Sequence, residues 1–206
     1  MFGKRVKKAI SAAMAGMVLA ACAWSSAPAQ SVPPTDYLGI PGPIEFAGAQ
    51  YRLAWSARPS ADYVKHEYLP PGQQPESYTD MVSVELLTSG VGVADALKAQ
   101  TEMLDKRKGS DPIANYQILR NPDNGQVVLD FLVSEESSGT LTVEWDAYRY
   151  VPVTMPGGKN AVILFAVSRR HYGEGAGDFL KALKTKRTAD IDALVNHAVP
   201  GAEPAK

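Results

Sequence analysis

Three carboxylates stand close together in one strand-rich stretch of the chain. They are Asp130, Glu144 and Asp146, within QVVLDFLVSEESSGTLTVEWDAYRYVPVTMPGGKNAVILFAVSRR from Gln126 to Arg170. Carboxylate oxygens in such a group suit a hard cation or a cationic ligand. Tyr148, Tyr150 and Ser168 share their alternation and would add apolar and hydroxyl contacts. Arg170 is their natural counter-charge, whereas alternation turns Arg149 toward the other side. The competing reading is a self-neutralised sheet face in water, which antiparallel sheets commonly keep.

A second candidate is the loop from Pro70 to Ser77 with His66, Glu67, Tyr68 and Tyr78 around it. Tyrosine offers a large rigid surface with a polar tip, so a proline-rich loop flanked by tyrosines suits a protein contact. Ordinary strand tyrosines around a stiff turn are the alternative.

No pattern in the chain names a reaction. It has no G-x-S-x-G elbow, no H-E-x-x-H pair and no P-loop. Gly173-x-Gly175-x-Gly177 lacks both the spacing of a dinucleotide loop and the Lys-Ser/Thr of a phosphate loop, and reads as a connector. His66, His171 and His197 are isolated from one another. The expectation is a non-enzymatic protein with no catalytic residues, no cofactor and no resident metal.

The elements that would position these residues follow from period and turn signals. Val127, Leu129, Phe131 and Val133, then Leu141, Val143, Trp145 and Ala147, then Ile163, Phe165 and Val167 form three alternating apolar sets of one meander. Placed on a single face, they put Leu129 beside Trp145 and Trp145 beside Val167. The same register sets Asp130 across from Glu144, with Arg170 diagonal to Glu144.

Earlier strands are expected at Tyr51 to Ser56, at Asp62 to Leu69 and at Tyr78 to Leu87, with a short one at Ile44 and Phe46. A helix opens at Val93, turns Val93, Ala96, Leu97, Gln100, Met103 and Leu104 to one face, and closes at the cations Lys106 to Lys108. Tyr116 to Arg120 leads through Asn121-Pro122-Asp123-Asn124-Gly125, a hairpin signal, into the meander. The last helix is expected from Asp178, its cap, to His197, burying Phe179, Leu183, Ile191, Leu194 and Val195.

The sum is an α+β fold, an antiparallel sheet of about six to seven strands covered on one face by two helices. In this order of elements, Tyr51 to Val195 resembles the PsbP-like and DcrB-like group, whose members include exported bacterial lipoproteins. Glu67-Tyr68-Leu69-Pro70-Pro71-Gly72 through Tyr78-Thr79-Asp80-Met81 is also similar to a stretch common in bacterial envelope proteins. Neither resemblance implies an active site.

The first residues form an export signal. Lys4, Arg5, Lys7 and Lys8 precede an apolar run from Ala9 to Leu19 that is too short for a stable span. Leu19-Ala20-Ala21-Cys22 resembles a lipobox, in which Cys22 becomes the acylated first residue of the mature chain. Ala27-Pro28-Ala29 offers ordinary cleavage after Ala29 instead, leaving a soluble periplasmic protein. The lipobox is favoured, because it consumes the chain's single Cys. Ala23 rather than Asp follows it, which by resemblance to enterobacterial lipoproteins points to the outer membrane.

The expected organisation is signal 1–21, tether 22–43, one domain 44–198 and a polar tail 199–206. Beyond the signal the chain keeps 17 Lys and Arg against 22 Asp and Glu, a net charge of −5. Polyanion binding needs clustered positive charge, so no nucleic-acid partner is expected. The leading expectation is an envelope protein that contacts another protein or the envelope and meets the membrane through its lipid alone. A small-ligand or cation-binding module and an immunity or inhibitor lipoprotein are the alternatives.

Overall fold

A computed structural model describes residues 33–201. Cys22, both cleavage sites and the first half of the expected tether, 22–32, lie outside them. The elements are β1 (Ile44–Phe46), β2 (Ala49–Ser60), β3 (Tyr63–Leu69), β4 (Asp80–Leu87), α1 (Val93–Arg107), β5 (Asn115–Arg120), β6 (Val127–Ser137), β7 (Thr140–Thr154), β8 (Asn160–Tyr172) and α2 (Ala176–Asn196). All eight strands join one antiparallel sheet in the order β1-β2-β3-β4-β8-β7-β6-β5, shaped as a half-barrel. Two four-stranded meanders thus meet at β4 and β8, and each ends in a helix.

Local chemistry explains the turns. Ser138 and Gly139, both at positive φ, close the two-residue hairpin between Ser137 and Thr140. Between β5 and β6 the Asn121 amide donates to Gln126 O and Gly125 takes a positive φ, as the Asn-Gly signal requires.

The helices lie on opposite faces of the sheet, not on one. Leu183 and Leu194 of α2 pack with Phe46, Tyr68, Val84, Trp145, Phe165 and Val167. Ala96, Leu97 and Leu104 of α1 pack with Leu129, Phe131, Tyr148, Tyr150, Val162 and Leu164. The near-continuous apolar run of β8 follows from this two-sided burial, since both parities of its side chains must leave water.

That geometry also corrects the expected register of the meander. Trp145 stands opposite Leu132, and Leu129 opposite Tyr148. On the other side of β7, Trp145 faces Arg169 and Val167 faces Ala147. Leu129 and Phe131 therefore belong to the α1 face, while Trp145, Phe165 and Val167 belong to the α2 face. β6 carries apolar residues on both parities, so matching its larger set to that of β7 put it one residue out of phase.

Polar contacts fasten each helix to the sheet. Arg149 Nη1 donates to Leu194 O and His197 O, both at 2.8 Å, satisfying carbonyls at the C-terminal end of α2. At the end of α1, Arg107 donates to Asp111 and to Ser134 O, and Asp111 accepts from both the hydroxyl and the amide of Ser134. Gly175 at φ 91, not Asp178, is the N-cap of α2; Asp178 sits in its first turn and pairs with Lys181. Val195, expected in the core, is 39% exposed.

Trp145 is fully buried, and its Nε1 donates to Asp130 Oδ1 at 2.7 Å. Trp145→Ala should cost about 3–5 kcal/mol, a fall in Tm of roughly 10 °C for a domain of this size. Thermal melts of the two proteins check this. A loss below about 1 kcal/mol, ordinary for a surface position, would contradict the packing described.

Candidate functional site

The register brings most of the acidic-face residues together beneath the α1 side of the sheet. One row across the strands reads Lys65, Glu85, Leu164, Tyr150 and Val127. The next reads Glu67, Ser83, Ala166, Tyr148 and Leu129; then come Met81, Ser168, Asp146 and Phe131, and finally Arg170, Glu144 and Val133. The rows turn from polar on β3 and β4 to apolar on β6. Glu144, Asp146, Tyr148, Tyr150, Ser168 and Arg170 share this face, but all are buried or half-buried and none lies on a solvated sheet.

Asp130 is not with them. It points to the α2 face, where Oδ1 accepts from Trp145 and Oδ2 from Arg187 Nε at 2.6 Å. Arg187 reaches on to Gln117 of β5, so this buried carboxylate ties β5, β6, β7 and α2 together. Its register partner on β7 is Ala147, and no carboxylate opposes it.

Glu144 and Arg170 are directly opposite rather than diagonal. Arg170 Nε donates to Glu144 Oε2 at 2.6 Å, with Nη2 against the same oxygen, and Tyr78 OH donates to Oε1 at 3.0 Å. The guanidinium lies 4.0 Å from the centre of the Tyr78 ring. Burial works against the charge on Arg170, but Glu144 and the neighbouring tyrosines more than offset it, so its pKa is pushed up. Asp146 accepts from the Ser168 hydroxyl. Burial first, and the Glu144 charge second, push the Asp146 carboxyl well above the ordinary carboxylate range.

Sequence reasoning missed the other half of this interior. Lys65 Nζ lies 2.8 Å from Glu67 Oε1 and 3.8 Å from Glu85 Oε1, and Tyr63 OH donates to Glu85 Oε2 at 2.7 Å. Burial disfavours the Lys65 ammonium, yet the two glutamates outweigh it and raise its pKa. Ser83 Oγ, Glu85 Oε1 and Tyr150 OH are buried without a hydrogen-bond partner within the chain. The alternating charges of YVKHEYL, and Ser83 and Glu85 within an otherwise apolar β4, were the available signal. A buried Lys reads in sequence like an exposed one.

The residues of the second candidate divide between the two faces. His66 and Tyr68 are fully buried on the α2 side, Tyr78 is buried against Glu144, and Glu67 is half-buried against Lys65. Tyr68 OH donates its hydrogen to Ile40 O, and the Tyr37 amide donates to His66 Nε2. His66 Nδ1 must then be the protonated nitrogen, donating to the Tyr68 oxygen at 3.1 Å. Burial lowers the His66 pKa against the opposing pull of Asp36, in keeping with a neutral ring. These residues fasten the segment before β1 to the sheet.

A cleft of about 270 Å³ opens elsewhere, between Thr79, Asp80, the end of β8 and α2, lined also by Phe179, Leu183 and Lys186. At its floor Arg169 holds Asp190 through Nε and Nη2 at 3.1 and 2.8 Å, and Asp80 lies 3.4 Å from Nη1. Among the described residues no group of three or more His, Cys, Asp or Glu is arranged to hold a metal.

The raised pKa of Asp146 fixes a sign. The folded chain keeps a proton that the unfolded chain loses above about pH 4, so this group's contribution to stability falls as pH rises from there toward the folded pKa. Asp146→Asn keeps an acceptor for Ser168 and removes the titration. Its Tm should exceed that of the wild type by a few degrees at pH 7.5, and the gap should close near pH 4. Thermal melts of both proteins at the two pH values check this; a variant less stable than wild type at pH 7.5 would contradict it.

No curated protein and no solved structure matches the chain. One family model matches residues 38–199, a stretch that holds all eight strands and both helices. The chain belongs to that family, an uncharacterised one.

Proposed function

We propose that this protein is a lipid-anchored domain facing the periplasm, which acts by binding a protein partner and carries no catalytic chemistry. The observation that carries the proposal is that its interior acids are held by cations of the same chain, Asp146 alone excepted, which the Ser168 hydroxyl engages instead. Glu144 is held by Arg170, Asp130 by Arg187, Asp190 by Arg169, Asp111 by Arg107, and Glu67 and Glu85 by Lys65. A general base needs a lone pair within reach of a substrate proton, and these carboxylates are buried or half-buried beside fixed guanidinium and ammonium groups.

Export and anchoring rest on the basic start, the apolar run and Leu19-Ala20-Ala21-Cys22. The resemblance in element order to the PsbP-like and DcrB-like group supports the same placement. An inhibitor lipoprotein is the special case in which the partner is a harmful enzyme. One observation favours a second reading, a small-ligand module: the cleft beside α2 combines an apolar wall with charged groups at its floor and rim.

The wild-type protein should sediment with membranes as a chain whose N-terminus is an acylated Cys22, and Cys22→Ser should move it to the soluble fraction. Cross-linking in intact cells should then capture one stoichiometric protein. A mature chain that begins at Gln30 by intact mass would overturn the anchor. Capture of no protein, with a small molecule co-purifying, would replace the binding reading by the ligand one.

A further inference from the structure

Where the chain enters the fold is fixed by hydrogen bonds. Asp36 Oδ1 accepts from the amides of Leu38 and Ile40, the Tyr37 amide donates to His66, and Tyr68 OH donates to Ile40 O. The entering segment is therefore pinned to β3, one strand in from β2. Among the described residues β2 pairs on its outer side only with β1, through Ala49 to Tyr51, so its edge from Arg52 to Ser60 is open.

This open edge has an unusual composition. Its residues include Arg52 and Arg58 and no acid, in a domain that is acidic overall. Trp55 is 41% exposed on it, and Tyr37 beside it is 40% exposed. The Arg58 guanidinium lies 5.4 Å from the centre of the Tyr37 ring. Pairing with another strand is discouraged, because register shifts at Leu53/Trp55 and Ala57/Ser60 and the ring of Pro59 interrupt the ladder. Exposed Trp and Tyr with flanking Arg are instead what a bilayer interface accepts, with the rings at headgroup level and the guanidinium groups on anionic lipid.

We infer that the β2 edge, with Trp55, Tyr37, Arg52 and Arg58, docks the domain onto an anionic phospholipid surface. The inference rests on the anchored reading above, and distance selects this edge. The entering segment is pinned beside β2, while β5, at the far edge, stands six strand spacings from β2, roughly 28 Å along the sheet. Docked in this way, the domain lies with the β2 edge on lipid and β5 facing away.

The test uses the full acylated chain in vesicles of phosphatidylethanolamine and phosphatidylglycerol. Trp24→Phe silences the tether, leaving Trp55 as reporter and the fully buried Trp145 as internal reference. Lipids brominated near the headgroup end of their acyl chains should quench part of the emission. Trp55→Phe should remove that loss. Arg52→Glu with Arg58→Glu should also remove it while the protein still co-floats with the vesicles. A protein that floats with the vesicles but shows no quenching overturns the docking and leaves the anchor standing. One that does not float with them overturns the anchor, and the docking with it. Quenching that survives the double charge reversal also overturns the proposal, because anionic lipid would then not be what holds this edge.

Discussion

The constraint on which the rest of the structure depends is the burial of the β7–β8 pair on both faces. These are the two longest strands, and they lie in the middle of the sheet with a helix over each side. Neither parity of their side chains can rely on water. Apolar residues meet this directly, as Trp145, Phe165 and Val167 do beneath α2. The polar residues of the same strands must find partners inside the chain, because an unpaired buried charge costs far more than a paired one. Arg149 therefore turns to the carbonyls ending α2, Arg169 to Asp190 and Arg170 to Glu144.

The internal pairs also account for how the layers are held. Asp130 joins the indole of β7 to Arg187 of α2, and the Arg107–Asp111–Ser134 cluster pins the end of α1 to β6. Each helix is thus fixed by a small apolar stripe together with buried carboxylates, Asp111 for α1 and Asp130 and Asp190 for α2. Such ties stabilise modestly but specify geometry, since a slip of one residue would strand a charge. The uneven distribution of polarity follows the same logic: the half of the α1 face under β3 and β4 is lined by Lys65, Glu85 and Ser83, while the half under β6 is lined by Val127, Leu129 and Phe131.

Much of the element order was legible from turns and periodicity. The Asn-Gly hairpin, the Ser-Ser-Gly turn and the start of α1 at Val93 all lie where their local chemistry places them. The pairing of faces was not legible, for a physical reason. Alternation reports a strand's parity only when one face is wet, and β6 and β8 are apolar on both parities, so their sequence admits either register. The same ambiguity moved Asp130 away from Glu144 and turned an imagined solvated acidic face into a buried ion-paired one. Lys65 and Glu85 were overlooked because charged residues in a strand ordinarily mark its exposed side. In the loop region, the burial of His66 and Tyr68 comes from the segment around Ile40, whose Leu38 and Ile40 pack on the core but stand among Pro and Gly residues that read as a connector.

Opposite charges of the interior neutralise one another in pairs, with Glu144 and Arg170 at the centre of the sheet. A double-mutant cycle on Glu144→Gln and Arg170→Met tests this most directly, with stability measured by denaturant unfolding at neutral pH. Arg170→Met alone leaves a buried carboxylate without its cation and should cost about 3 kcal/mol. Adding Glu144→Gln, whose amide oxygen still accepts from Tyr78, should restore most of that loss, giving a large favourable coupling. Additive costs in the double variant, or a single Arg170→Met as stable as the wild type, would show that the pair is not what balances this interior and would contradict the account.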